Sequence, residues 1–85
     1  MSPEQALRDL VEFVARSLVD DAAAVQVRTG VPAEGEGLLI ELVVAPADMG
    51  KVIGRQGRIA RALRSVVRAA AVRHRVRVVL DIKSA

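Results

Sequence analysis

Cysteine, tryptophan and tyrosine are absent from this chain, and Phe13 is the one aromatic residue among 85. Without cysteine there is no disulfide framework, no thiolate zinc site and no cysteine nucleophile, a composition that suits a reducing interior. Without rings the core has to be built from Val, Leu, Ile and Ala. Stacking of nucleic-acid bases, worth about 1–3 kcal/mol per base, has no platform unless Phe13 is exposed. The single histidine, His74, has no carboxylate or second histidine spaced to hold a metal with it, and reads as a structural or surface residue. No uncharged stretch approaches the roughly 20 residues of a membrane span, and Glu4 and Asp9 stand where a signal peptide places lysine and an apolar run. The chain is therefore expected to be cytoplasmic, with no membrane partner.

Enzyme machinery is missing as well. Gly50, Gly54 and Gly57 do not form G-x-G-x-x-G, and no lysine followed by Ser or Thr completes a P-loop. Asp48 beside Lys51 has no second catalytic group, and Glu34, Glu36 and Glu41 read as solubilising charge. No catalytic residue, metal or cofactor is expected.

What is present suits one small folded module, residues 1–85, with 52% apolar and 27% charged residues. A chain of this size removes only about 60–65% of its unfolded surface from water, so the core is small. The net charge of +3 is polarised: Met1–Ala47 holds eight acids and three bases (−5), Asp48–Ala85 ten bases and two acids (+8). Such a division marks a face for anions.

Hydrophobic patterning predicts the order α-β-β-α-α-β. Ser2-Pro3-Glu4-Gln5 combines a serine cap, proline at the first helical position, an acid near the positive end of the dipole and a capping-box glutamine. The helix is expected to reach Leu18, with Leu7, Leu10, Val11, Val14 and Leu18 as its buried stripe. Ala24–Thr29 alternates as a half-buried strand, 30–37 is a loop rich in glycine, and Leu38–Val44 reads as a deeper strand antiparallel to the first. Asp48 is placed to cap a short helix running through Lys51 to Ile53. A second helix starts near Arg58, with Ile59, Leu63, Val66, Val67 and Ala70 on one side and Arg58, Arg61, Arg64 and Arg68 nearly opposite. Val76–Lys83 alternates as a closing strand. A right-handed crossover through the two helices makes that strand parallel to its neighbour, giving an α+β fold: a three-stranded mixed sheet with helices on one face.

The junction of the two later helices is the expected site. In Val52-Ile53-Gly54-Arg55-Gln56-Gly57-Arg58-Ile59 the glycines let backbone approach a ligand closely. The amides of Gly54–Gly57, at the start of a helix, offer donors and a positive dipole to phosphate oxygens. Lys51, Arg55, Arg58 and Arg61 add charge, while Ile53 and Ile59 supply core packing and an apolar floor for bases. Gly54 and Gly57 also fit a plain helix end followed by a tight turn. Arg64 and Arg68 fit a solvated helix face as well as contact with an extended ligand, and Arg73, Arg75 and Arg77 fit protection of a sheet edge.

This octapeptide resembles the signature of the KH domain, whose GXXG loop clamps the backbone of a short single-stranded stretch. The element order resembles the bacterial type II arrangement, and the size is similar to that of the stand-alone KH proteins of the KhpA family. The resemblance implies a single-stranded RNA binder of low sequence selectivity, an RNA chaperone or post-transcriptional regulator. It further implies homodimers and a heteromer with the larger RNA-binding protein KhpB, also called Jag or EloR. Two alternatives remain open on the residues alone: a helix-turn-helix reading duplex DNA through Gln56, Arg58 and Arg61, and a protein-interaction subunit. A dimer contact is expected toward the far end of the second helix, at Ala70 and Ala71.

Overall fold

The first helix follows from its ends. In the computed structural model, which describes residues 2–85, α1 spans Pro3–Leu18, and the Ser2 hydroxyl accepts the Gln5 N–H at 3.1 Å. The reciprocal half of the capping box is not made, because the Gln5 side chain donates instead to Asp9 Oδ1 at 2.9 Å, one turn along the same face. Glu4 sits in the first turn and Arg16 in the last, both favourable to the helix dipole.

Strand β1 (Gln26–Gly30) pairs antiparallel with β2 (Leu38–Val44), Arg28 opposite Glu41, and β2 pairs parallel with β3 (Val78–Ser84), Ile40 opposite Leu80. The sheet order is β1-β2-β3, so β2 is central, and its residues alternate between buried and half-buried as the expected deeper strand should. The helices α1, α2 (Met49–Ile53) and α3 (Arg58–Arg73) pack together above one face. On the other face Lys83 reaches Glu41 Oε2 at 2.5 Å, with Arg28 alongside, so charge covers the solvent side of the central strand.

Two strand boundaries are later than alternation predicts. Ala22–Ala24 forms a 3₁₀ turn closed by Ala24 N–H to the Asp21 carbonyl at 3.1 Å, which delays β1 to Gln26. At the other end Arg75 takes a left-handed conformation (φ 57°) and the Val76 N–H still bonds to the Ala71 carbonyl at 3.0 Å, so β3 begins only at Val78. Hydrogen bonding of the backbone, invisible to side-chain periodicity, decides both.

The core joins Leu7, Val11 and Ala15 of α1, Val25, Val27, the inward residues Leu38, Ile40, Leu42 and Val44 of β2, Val52, Leu63, Val67 and Ala71 of the later helices, and Leu80. Each large side chain taken from water here contributes about 1.5–3 kcal/mol. Both helical stripes are turned from their expected positions. Ala15, Ala60 and Ala71 lie inside, whereas Leu10, Val14, Leu18, Ile59 and Ala70 are half-buried and Val66 is 50% exposed. Alanines carry little hydropathy signal, yet their size lets backbones approach where the helices meet the sheet. Of the two residues expected at a dimer contact, Ala71 belongs to the core at 2% exposure and is already covered, while Ala70 is half-buried.

Candidate nucleic-acid interface

α2 is only five residues long, and the chain leaves it at Gly54 (φ 77°, ψ 170°) to make a tight turn, Arg55–Gly57, that leads straight into α3. The conformation of Gly54 belongs to a region essentially restricted to glycine. A Cβ there would meet Ile59 Cγ1 at 2.6 Å and the Ile59 amide nitrogen at 2.9 Å. Gly57 is left-handed as well (φ 73°) but faces open space. The two glycines therefore do different work: Gly54 lets Ile59 close over the turn, and Gly57 only reverses the chain.

Within the turn the Gly57 N–H donates to the Gly54 carbonyl at 3.1 Å, the Gly54 N–H to the Gly50 carbonyl at 2.9 Å, and the Arg58 N–H to the Arg55 carbonyl. The glycine amides, expected as ligand donors, are thus consumed internally. Among the described residues no turn bond uses the N–H of Arg55 or Gln56. Arg55 keeps helical dihedrals while Gln56 is left-handed (φ 56°, ψ 25°), and this alternation turns successive N–H groups into a concavity suited to an anion. Arg55 and Gln56 are exposed and both glycines half-exposed, so the turn is open to solvent.

Electrostatics at the start of α3 invert the ordinary rule. No side chain caps the helix and no acid lies in its first turn; instead Arg55, Arg58 and Arg61, all exposed, crowd the positive end of the dipole. Each cation so placed costs about 0.3–1 kcal/mol unless a negative charge is supplied from outside. In α1 the same positions hold Glu4.

Farther along α3, Arg64 and Arg68 line a trough whose floor is Val67, Val78, Val79 and Leu80. Arg64 is half-buried and its Nε donates to the Leu80 carbonyl at 3.3 Å, covering the free edge of β3. Charge at that edge was anticipated from Arg73, Arg75 and Arg77; Arg64 supplies the contact, and nothing in its spacing distinguished it from its neighbours. From Arg58 to Arg68 the row runs about 15 Å along the helix axis.

Ile53 and Ile59 are half-buried, Ile59 against Gly54 and at the mouth of an apolar groove between α1 and α3 formed with Val14, Leu18, Ala62 and Val66. Phe13, 72% exposed, stands on the outer side of α1. Lys51 departs from the expected pattern. Its ammonium pairs with Asp20 and lies 3.7 Å from Asp48 Oδ1, so it is not a free cation, and its hydrogen bond to Asp20 raises its pKa above 10.5. Asp48 does not cap α2. It has helical dihedrals, and its buried carboxylate accepts N–H bonds from Asp20 at 3.2 Å and Asp21 at 3.1 Å. The Asp21 bond chiefly holds its pKa below 3.8, with the Asp20 N–H and Lys51 adding to the effect.

Residues 8–82 match the family model described as KhpA/KhpB, KH domain. The chain is 53% identical to a protein of Clostridium acetobutylicum named RNA-binding protein KhpA, covering 89% of this chain and 99% of that one. Proteins of the same name from Halalkalibacterium halodurans and Aquifex aeolicus are 54% and 51% identical, over 89% and 91% of this chain and 97% and 95% of theirs. Among solved structures, Era in complex with MgGDPNP and nucleotides 1506–1542 of 16S ribosomal RNA superposes with a TM-score of 0.65 at 16% identity, covering 99% of this chain and 31% of Era. That likeness concerns the fold. Among the described residues no helix is long and apolar enough to cross a membrane.

Proposed function

The chain belongs to the KhpA/KhpB KH-domain family, and on that premise we propose that it binds single-stranded RNA by gripping the sugar-phosphate backbone at the Gly54–Gly57 turn. Its fold is the type II KH arrangement, and its relatives are named for binding RNA, so it is a binder and not an enzyme. One observation carries the reading: the positive end of α3 is surrounded by exposed arginines with no acid or cap to offset them, beside a turn whose Arg55 and Gln56 amides are open. A polyanion supplies the missing charge. Arg55, Gln56, Arg58 and Arg61 contact phosphates, Ile53, Gly54, Gly57 and Ile59 shape the turn and its floor, and the trough past Arg64 and Arg68 accepts the bases.

Selectivity for sequence is low, because the site offers backbone donors and guanidinium groups but no aromatic platform. Phosphate contacts by the three cations Arg55, Arg58 and Arg61 give a slope of log K on log salt of about −2. The helix-turn-helix alternative fits the shape poorly. A five-residue α2 is too short to brace a recognition helix across a groove, and Arg64 turns in toward β3.

Weak sites gain from being doubled. The groove of Val14, Leu18, Ile59, Ala62 and Val66 has no charged side chain in its lining and lies on the flank of α3 away from Arg64 and Arg68. A second copy, or the KH domain of KhpB, covers it in the working assembly. Such a protein acts in the cytoplasm as an RNA chaperone or post-transcriptional regulator. Crosslinking and sequencing of bound RNA, for the native protein and for the Arg55→Asp, Gln56→Asp double variant checked for folding by circular dichroism, tests the site. The variant is expected to lose its RNAs; equal recovery by both refutes the assignment.

A further inference from the structure

Lys51 is close to the turn yet committed elsewhere. Three residues before Gly54, its ammonium bridges Asp20 and Asp48, whereas Arg55, Arg58 and Arg61 make no ion pair among the described residues. The two acids are not equivalent. Asp48 is 2% exposed and both carboxylate oxygens are occupied by the N–H groups of Asp20 and Asp21, so it is a fixed staple fastening the segment after α1 to the start of α2. That staple is what carries Asp20 to Lys51. The Asp20 side chain itself is 84% exposed, lies outside any helix or strand and, among the described residues, holds only Lys51.

We propose that Asp20 is an intramolecular stand-in for RNA phosphate, a latch that occupies Lys51 and lowers the affinity of the adjacent turn for the sugar-phosphate backbone. The proposal rests on the RNA reading above. An exposed pair of this kind is weak, about 0.2–1 kcal/mol, so exchanging carboxylate for phosphate is cheap. A strand seated on Arg55 and Arg58 brings its next phosphates toward Lys51, and the ammonium then changes partner. Asp48 stays in place because its remaining partners are backbone N–H groups that do not move with the ligand. The latch makes RNA binding weaker at low salt and flatter in its salt response than the count of basic residues alone implies, which favours exchange of strands over retention.

The experiment is a titration of a short fluorescein-labelled oligouridylate, followed by anisotropy over a range of KCl, with the native protein, Asp20→Asn, Lys51→Gln and the double variant. Asp20→Asn is expected to bind about two- to five-fold tighter at low salt, with a slope steeper by about 0.7, one phosphate contact on a single strand. Lys51→Gln is expected to cost more affinity in the Asp20→Asn background than in the native one. Native affinity in Asp20→Asn overturns the latch. So does a gain that persists in full when Lys51 is Gln, since that gain comes from net charge alone. The Arg55→Asp, Gln56→Asp variant in the same titration keeps the two readings apart: if it binds as the native protein does, the site is wrong, and if it loses binding while Asp20→Asn changes nothing, only the latch is wrong.

Discussion

The two flanks of α3 are made from the same sixteen residues and face opposite problems. Toward β3 the helix presents Arg64 and Arg68 over a trough, with Arg58 and Arg61 exposed in its first turn; toward α1 it presents Ile59, Ala62 and Val66 beside Val14 and Leu18. The first flank gains free energy from charge, which salt screens, and the second from apolar area, which salt leaves intact or strengthens. One amphipathic helix on a small sheet thus carries two separable surfaces, and neither depends on the buried stripe of Ala60, Leu63, Val67 and Ala71 that holds it down. On the proposed reading, the difference teaches that exposed apolar residues on this helix are not a fault in its packing but the second of two working faces.

The sharpest break in that comparison comes from loading each flank with the wrong charge. Arg58→Glu combined with Arg61→Glu is expected to abolish RNA binding at low salt. Replacing the two arginines by Gln flattens the salt slope by about 1.4, and in both cases the mass by light scattering is unchanged. Val66→Glu is expected to halve the mass while the monomer still binds a short RNA. If either variant produces both effects, the flanks form one surface.

A smaller effect separates the two glycines at the junction of the flanks. Gly54→Ala drives a Cβ to 2.6 Å from Ile59 and asks alanine to adopt a conformation essentially limited to glycine, at a cost of about 2–4 kcal/mol. Gly57→Ala meets nothing within 4 Å and costs only the left-handed conformation, about 1–2 kcal/mol. Denaturant unfolding should therefore rank Gly54→Ala well below Gly57→Ala in stability. Equal losses would mean that Ile59 does not close over the turn.

The mildest test concerns the staple beneath the latch. Asp48 has a folded pKa below its ordinary 3.8, so its contribution is complete above that value and is lost as pH falls through the lowered one; Glu41, lowered by Lys83, behaves alike. Lys51 and Lys83 have folded pKa values above 10.5, so their contributions are complete below that value and fade as pH rises past it. Thermal unfolding is expected to be flat between these limits, to weaken below pH 4.5, where Glu41 begins to lose its contribution, and further below pH 3.8 with Asp48, and to weaken above pH 10.5. Asp48→Asn lowers the melting temperature by several degrees at neutral pH and blunts the acid limb, because the amide keeps one acceptor oxygen and turns a donor on the second of the two N–H groups. An unchanged acid limb would remove Asp48 from the account.

Element order, strand pairing and the position of the turn were all readable before coordinates. Ser2-Pro3, the alternation of β2 and the paired glycines are local signals whose consequences are local. Reading failed where a partner distant in sequence decides. Asp48 has the look of a cap and is instead taken by backbone 27 and 28 residues away. Lys51 looks free and is held by an acid 31 residues earlier. Ala71, toward the far end of α3, looks spare and is core, because alanine buries without advertising it.

Composition and spacing were enough to specify an α+β module with its positive charge gathered around one glycine-flanked turn, since helix caps, strand alternation and chain reversal depend on neighbours within a few residues. Which cation is withheld and which side of α3 is left uncovered were settled when Asp20, Asp48 and the sheet were brought against the later helices. Those are pairings across the chain, and their geometry exists only once the core has closed.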